Sequence, residues 1–143
     1  MSYFSSTKDI PELNNIVMLI ARIFTGVSMI FLHGLPKLML FLNGGEIQFY
    51  NFLGIGEKTT LILAILIELI CAFLIIIGLF TRAAALILSL AMIVAALGVH
   101  FSDPFSVREL SLLYFTVFAL IFTFGPRHFS VDQMITRRKE SAW

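Results

Sequence analysis

Four apolar runs fill most of the chain, and the polar residues that interrupt them recur at helical spacing. A membrane-crossing helix needs roughly 17–25 predominantly apolar residues. The runs cover about residues 16–42, 60–80, 83–100 and 107–125. This pattern predicts an all-α fold, an integral membrane four-helix bundle occupying residues 1–143 as a single domain. Pro36 lies near the far end of the long first run and cannot donate to the carbonyl of Leu32, so a kink or break is expected there. Gly78 with Thr81 and Arg82 makes a tight connection between the second and third spans, and Gly125-Pro126 stops the fourth.

Between the first two spans, Asn43 to Lys58 is punctuated by glycines and carries Phe49, Tyr50, Phe52 and Leu53. It is too short and interrupted to cross a bilayer, so it reads as an interfacial or partly re-entrant segment with aromatics at headgroup depth. After the last span, Ser130-Val131-Asp132-Gln133 fits a capping box opening a short helix in the basic tail, residues 127–143. That tail ends in Arg137, Arg138 and Lys139. Lys8, Arg82, Arg127, Arg137, Arg138 and Lys139 fall on one side of the bundle, against Lys37, Lys58 and Arg108 on the other. The imbalance places both termini in the cytoplasm, in agreement with an even number of spans. Met1 to Asn15 shows no basic leader region or small-residue cleavage site, so the first run is expected to be a retained span.

The polar residues within the runs share helix faces. Arg22, Gly26, Met29, His33 and Lys37 are spaced 4, 3, 4 and 4 apart on the first helix. Ala64, Glu68, Cys71 and Ala72 form a face on the second, and Ser89, Met92, Ala96 and His100 on the third. Glu109, Thr116 and Thr123 line up at heptad spacing on the fourth. An ionisable group in lipid is expensive and normally faces the bundle interior or water. At about 1.5 Å per residue, Arg22 lies in the cytoplasmic half and Glu68 near the centre, a natural intramembrane ion pair. His33, Lys37, His100 and Glu109 gather toward the outer end and are the ligand-binding candidates. No catalytic residue can be named from the pattern.

Each group also has a plainer reading. Arg22 with Glu68 could serve only to fix helix register, and Lys37 could snorkel to the headgroups. His100 could be merely interfacial, and Ser106-Val107-Arg108-Glu109 is itself a capping-box pattern that would account for Glu109. His33 is harder to dismiss, because Gly34 and Pro36 beside it loosen the helix and free backbone groups.

Composition narrows the chemistry. Hydrophobic residues make up 59% of the chain and charged ones 13%, with a mean hydropathy of +0.96; a soluble domain would carry about a quarter charged residues. A net charge of +1 gives no argument for nucleic acid as a partner. The one cysteine, Cys71, excludes a CxxC dithiol within the chain and reads as a packing residue. Neither a glycine-rich phosphate loop nor a zinc-type cysteine pair is present, so no metal and no intrinsic cofactor are expected. Haem ligation by His33 and His100 is disfavoured, because no second histidine pair supports it.

The ordered set of motifs resembles the DoxX family of small bacterial membrane proteins over about residues 14–134. The matching pieces are Arg22 with Gly26, the His33-Gly34-Leu35-Pro36-Lys37 element, Leu53-Gly54, Glu68, and Gly78-Leu79-Phe80-Thr81-Arg82. Met92, His100, Glu109-Leu110 with Tyr114, Gly125-Pro126 and Ser130-Val131-Asp132 continue it. The resemblance implies a four-helix bundle in the bacterial inner membrane, similar to the DoxD subunit of thiosulfate:quinone oxidoreductase. It further implies an accessory subunit of a membrane oxidoreductase, with quinone as the possible cofactor and the donor centre on a partner. The alternative is a non-catalytic scaffold or assembly subunit of a larger membrane complex. Expected partners are membrane lipid and either other membrane subunits or further copies of the chain.

Overall fold

The computed structural model describes residues 10–45 and 47–141. Lys8, and most of the leading segment used to argue for a retained first span, lie outside these residues. Among the described residues, four helices are long and apolar enough to cross a membrane: α1 (Pro11–Leu42), α2 (Glu57–Ile77), α3 (Thr81–Val99) and α4 (Phe105–Phe124). A fifth, α5 (Val131–Glu140), follows in the tail. Among the described residues there is no strand. The all-α membrane bundle is thus the observed architecture.

The helix ends follow from local chemistry. Pro11 sits at the start of α1, where its missing N–H costs nothing, and Glu12 faces the positive end of the helix dipole. That start precedes the apolar run by five residues. α2 closes on Gly78 in the left-handed conformation, with Gly78 N–H and Leu79 N–H both donating to Leu74 O. α4 begins at Phe105 behind Pro104, with no side-chain cap. Ser106 is therefore inside the helix, and the capping box expected there does not form. The box at Ser130 does cap α5, its Oγ accepting from Gln133 N at 3.2 Å.

Pro36 does not break α1. The distortion lies just ahead of it, as a π-turn over Ile30–Gly34, where Leu35 N–H reaches back five residues to Ile30 O. Wider turns of this kind free carbonyls from the usual ladder and let the chain pass through a proline. Two more π-turns occur, over Ile67–Cys71 in α2 and Ala95–Val99 at the end of α3.

In lipid, helices associate through close packing and interhelical hydrogen bonds more than through a hydrophobic drive. Gly26 provides such an approach. A Cβ there would stand 2.5 Å from Ile76 Cγ1 and 3.0 Å from Ala72 O. The core builds from Met29, Cys71, Ala72, Ala84, Ala85, Leu88, Met92, Phe118 and Ile121, so three of the four spans contribute small or flexible side chains.

Arg22 ties one end of this core together. It is only 1% exposed and donates to Ile75 O at 3.0 Å, Ile76 O at 3.2 Å and Pro126 O at 2.6 Å. Ile75 and Ile76 lie in the last turn of α2, where carbonyls run short of intrahelical donors, and Pro126 follows the end of α4. Ile75 O also accepts from Gly78 N–H at 3.2 Å. The expected Arg22–Glu68 ion pair does not form. Glu68 lies seven residues before Ile75, about 10 Å along the helix, whereas the backbone carbonyls at the end of α2 and of Pro126 stand within reach of Arg22. Asp132 of α5 completes this end, accepting from Phe80 N, Thr81 N and Thr81 Oγ1 at 2.9–3.0 Å. It thereby caps α3 from a distant segment.

Candidate functional site

Glu68 is buried at mid-helix in α2 and takes Lys37 as its partner. Lys37 Nζ donates to Oε1 at 2.5 Å and to Oε2 at 2.6 Å. Gly34 lies opposite Glu68, its Cβ position 3.5 Å from Glu68 Cβ, and Lys37 is one turn farther along α1. A helical side chain leans back toward the N-terminus of its own helix. Lys37 therefore points inward to Glu68 instead of snorkelling to the headgroups. Gly34 makes this possible, because a Cβ there would overlap the side chain of Leu69.

The pair divides two cavities. The larger, about 540 Å³, runs between α2 and α3 under the segment joining α1 to α2. Its walls are apolar, from Leu63, Ala64, Ile67, Ile87, Ala91 and Val94, and its polar end holds Lys37, Glu68 and His100. Leu63, Ile87, Leu90 and Val99 at its rim are exposed on the outside of the bundle, which in a membrane faces hydrocarbon. The smaller cavity, about 200 Å³, takes His33, Ser111 and Tyr114, and shares Lys37, Glu68, Ala95 and His100 with the first. Three of the four expected ligand-binding residues thus converge, and Glu68 joins them.

The fourth does not. Glu109 is exposed and lines neither cavity. The cavity-facing positions of α4 are Val107, Leu110, Ser111 and Tyr114. Glu109 is two residues from both Val107 and Ser111, which puts it on the opposite face of the helix. The heptad stripe follows it outward: Thr116 and Thr123 are exposed and return their hydroxyls to Leu112 O and Ala119 O of their own helix.

The two histidines are fixed differently. The His33 ring meets Tyr114 edge-on, with centroids 5.3 Å apart, and Tyr114 stacks on Phe118 in turn. His100 Nδ1 lies 2.7 Å from Asp103 Oδ2, so a loop carboxylate orients that imidazole. The three π-turns coincide with the polar residues. His33 lies in the first and Glu68 in the second, and His100 follows the third with its N–H donating to Ala95 O. The first two pack against each other. π-turns occur frequently at functional sites, because an extra residue in the turn redirects side chains without ending the helix.

The segment between α1 and α2 forms the cover of the larger cavity. Phe49, Tyr50 and Phe52 all line it. The cover is tied down by Phe52 N–H to Thr60 Oγ1 at 3.1 Å and Gly56 N–H to Asn51 Oδ1 at 2.8 Å. Tyr50 packs on Gly98, where a Cβ would stand 2.9 Å from its hydroxyl oxygen. The headgroup reading of these aromatics missed this contact, since their alternation signals an interfacial segment without saying what lies beneath. Among the described residues, no cluster of three or more His, Cys, Asp or Glu could hold a metal ion. Chemically, the site offers a charge-compensated donor–acceptor pair, a donor or acceptor at His100, and an apolar slot covered by aromatic rings.

A family model described as DoxX matches residues 17–101. The match takes in α1 from its second turn onward, the aromatic cover, α2 and α3. No curated protein and no solved structure matches the chain.

Proposed function

Because this chain belongs to the DoxX family, a family of multi-pass membrane proteins, we propose that it is a quinone-associated accessory subunit of a bacterial inner-membrane oxidoreductase. The observation that carries this reading is the larger cavity, apolar along its length and polar at one end. Its volume of about 540 Å³ lies within the range of roughly 300–1,000 Å³ typical of small-molecule sites.

The charge state of the polar end favours a neutral head. Lys37 and Glu68 neutralise each other, and an anionic ligand that took Lys37 would strand a buried carboxylate at a cost of several kcal/mol. A carbonyl can accept from Lys37 or His100 without breaking the pair. The rings of Phe49, Tyr50 and Phe52 suit a planar aromatic or quinonoid ring, and the exposed apolar rim suits entry from the bilayer. With Cys71 the only cysteine, electrons would come from a partner subunit. The outward polar stripe of α4 (Glu109, Thr116, Thr123) favours the second reading, a scaffold that uses this face against another membrane chain.

Native mass spectrometry of the full chain incubated with a short-chain ubiquinone tests the first reading. The expected result is a stoichiometric adduct that Ala64→Phe abolishes by filling the cavity, with helical circular dichroism unchanged. A wild-type protein without adduct at saturating quinone overturns it, and a stoichiometric partner chain without quinone supports the scaffold.

A further inference from the structure

The end of the bundle that carries α5 collects cations from three segments. Arg82 opens α3, Arg127 follows α4, and Arg137, Arg138 and Lys139 occupy the last turn of α5. The Arg82 guanidinium packs on Gly125, where a Cβ would meet its Nε at 3.0 Å, so α3 and the α4 terminus share this surface. Among the described residues, none of these five forms a salt bridge. Arg127 lies over the Phe124 ring, and Arg137 reaches the neighbouring His128. Of the two acids in α5, Asp132 is already committed to Phe80 and Thr81, and Glu140, next to Lys139, forms no salt bridge among the described residues.

Apolar residues lie beside these cations. Phe129, Met134 and Ile135 are exposed, and Met134 and Arg138, four residues apart, share a face of α5. Asp132 fixes the height of the helix. Its carboxylate caps α3 and its N–H donates to Gly78 O at 2.9 Å, so the first turn of α5 is held level with the ends of α2 and α3. A helix with basic and apolar residues, pinned where spanning helices leave the hydrocarbon, has the composition of an interfacial helix.

We infer that α5, with Arg82 and Arg127, forms a docking surface for anionic phospholipid headgroups of the surrounding bilayer. Unpaired cations at headgroup level complement lipid phosphates, while Phe129, Met134 and Ile135 enter the boundary between headgroups and acyl chains. The inference is independent of what the central cavity binds.

The test is native mass spectrometry of the full-length protein in detergent, supplied with equal amounts of phosphatidylglycerol and phosphatidylcholine. Wild type is expected to retain the anionic lipid at least tenfold in excess, and the preference should fall with added salt. The triple variant R137Q/R138Q/K139Q, whose side chains are all exposed, should lower that preference roughly fivefold or more. Its counterpart R137K/R138K should keep the preference, since charge and not guanidinium geometry carries it. Equal retention of both lipids by wild type overturns the inference, even where an acidic protein is captured instead. So does an unchanged preference in the triple variant. The wild-type arm decides the matter if the variant fails to fold.

Discussion

Lys37 and Glu68 show how much a single buried partner matters. Removing Lys37 alone, as in Lys37→Met, leaves a mid-helix carboxylate without its donor. Breaking a buried pair from one side typically costs about 3–5 kcal/mol. The double variant Lys37→Met, Glu68→Met removes both charges and should recover most of that loss. Thermal unfolding in detergent of both singles and the double, read as a mutant cycle, measures the coupling. Additive losses would mean that the two groups are independent and that their contact in the structure is energetically empty. Arg22 makes the complementary point. Its sequence position suggested an acidic partner, yet a guanidinium can satisfy several carbonyls at once, and α2 and α4 end within its reach.

At the level of elements, the spans were legible to within a few residues, because lipid demands long uninterrupted apolar runs and those leave no ambiguity of period. Ends were less so. α1 begins at Pro11, inside a polar stretch, and α4 at Phe105 behind Pro104, because a proline at or just before the first turn, and not hydropathy, sets where these helices start. The π-turns were invisible. A one-residue insertion into a helical face changes nothing in the 4, 3, 4, 4 spacing of Arg22 to Lys37 that a reader could detect. Gly78 is the element-scale position most constrained. It combines φ of +73° with a Cβ site 2.6 Å from Ser130 Cβ and 2.7 Å from Arg22 Nη2. Gly78→Ala should therefore lose about 1–2 kcal/mol from the backbone alone, with more from displacing Arg22. The same unfolding assay, compared with Gly44→Ala at a left-handed glycine that has open space around it, separates crowding from backbone strain.

For the whole molecule, the decisive feature is that the larger cavity opens between α2 and α3 toward the side of the bundle. A nitroxide placed at Leu90, in a chain carrying Cys71→Ala, should collide with oxygen far more often than with a water-soluble nickel chelate in liposomes. Filling the cavity with a lipophilic ligand should lower that oxygen contact. Preferential collision with nickel would mean that the mouth meets water, and would remove the bilayer as the route of entry. Both ends of the bundle are organised by segments outside the spans: the aromatic cover over the cavity at one, and Asp132 of α5 at the other.

The sequence alone determined that this is a four-span membrane protein, which faces of α1 and α3 turn inward, and that His33, Lys37 and His100 belong near one another. Those follow from the cost of exposing charge or backbone to lipid and from the period of the helix, both local properties. Only the tertiary structure decided the pairings. Whether Glu68 meets Arg22 or Lys37 depends on the relative height of two antiparallel helices and on the direction in which each side chain leans. Whether Glu109 faces the cavity depends on the rotation of α4, which the packing of Tyr114 and Phe118 sets. A heptad stripe records which residues share a face, but not which way that face turns.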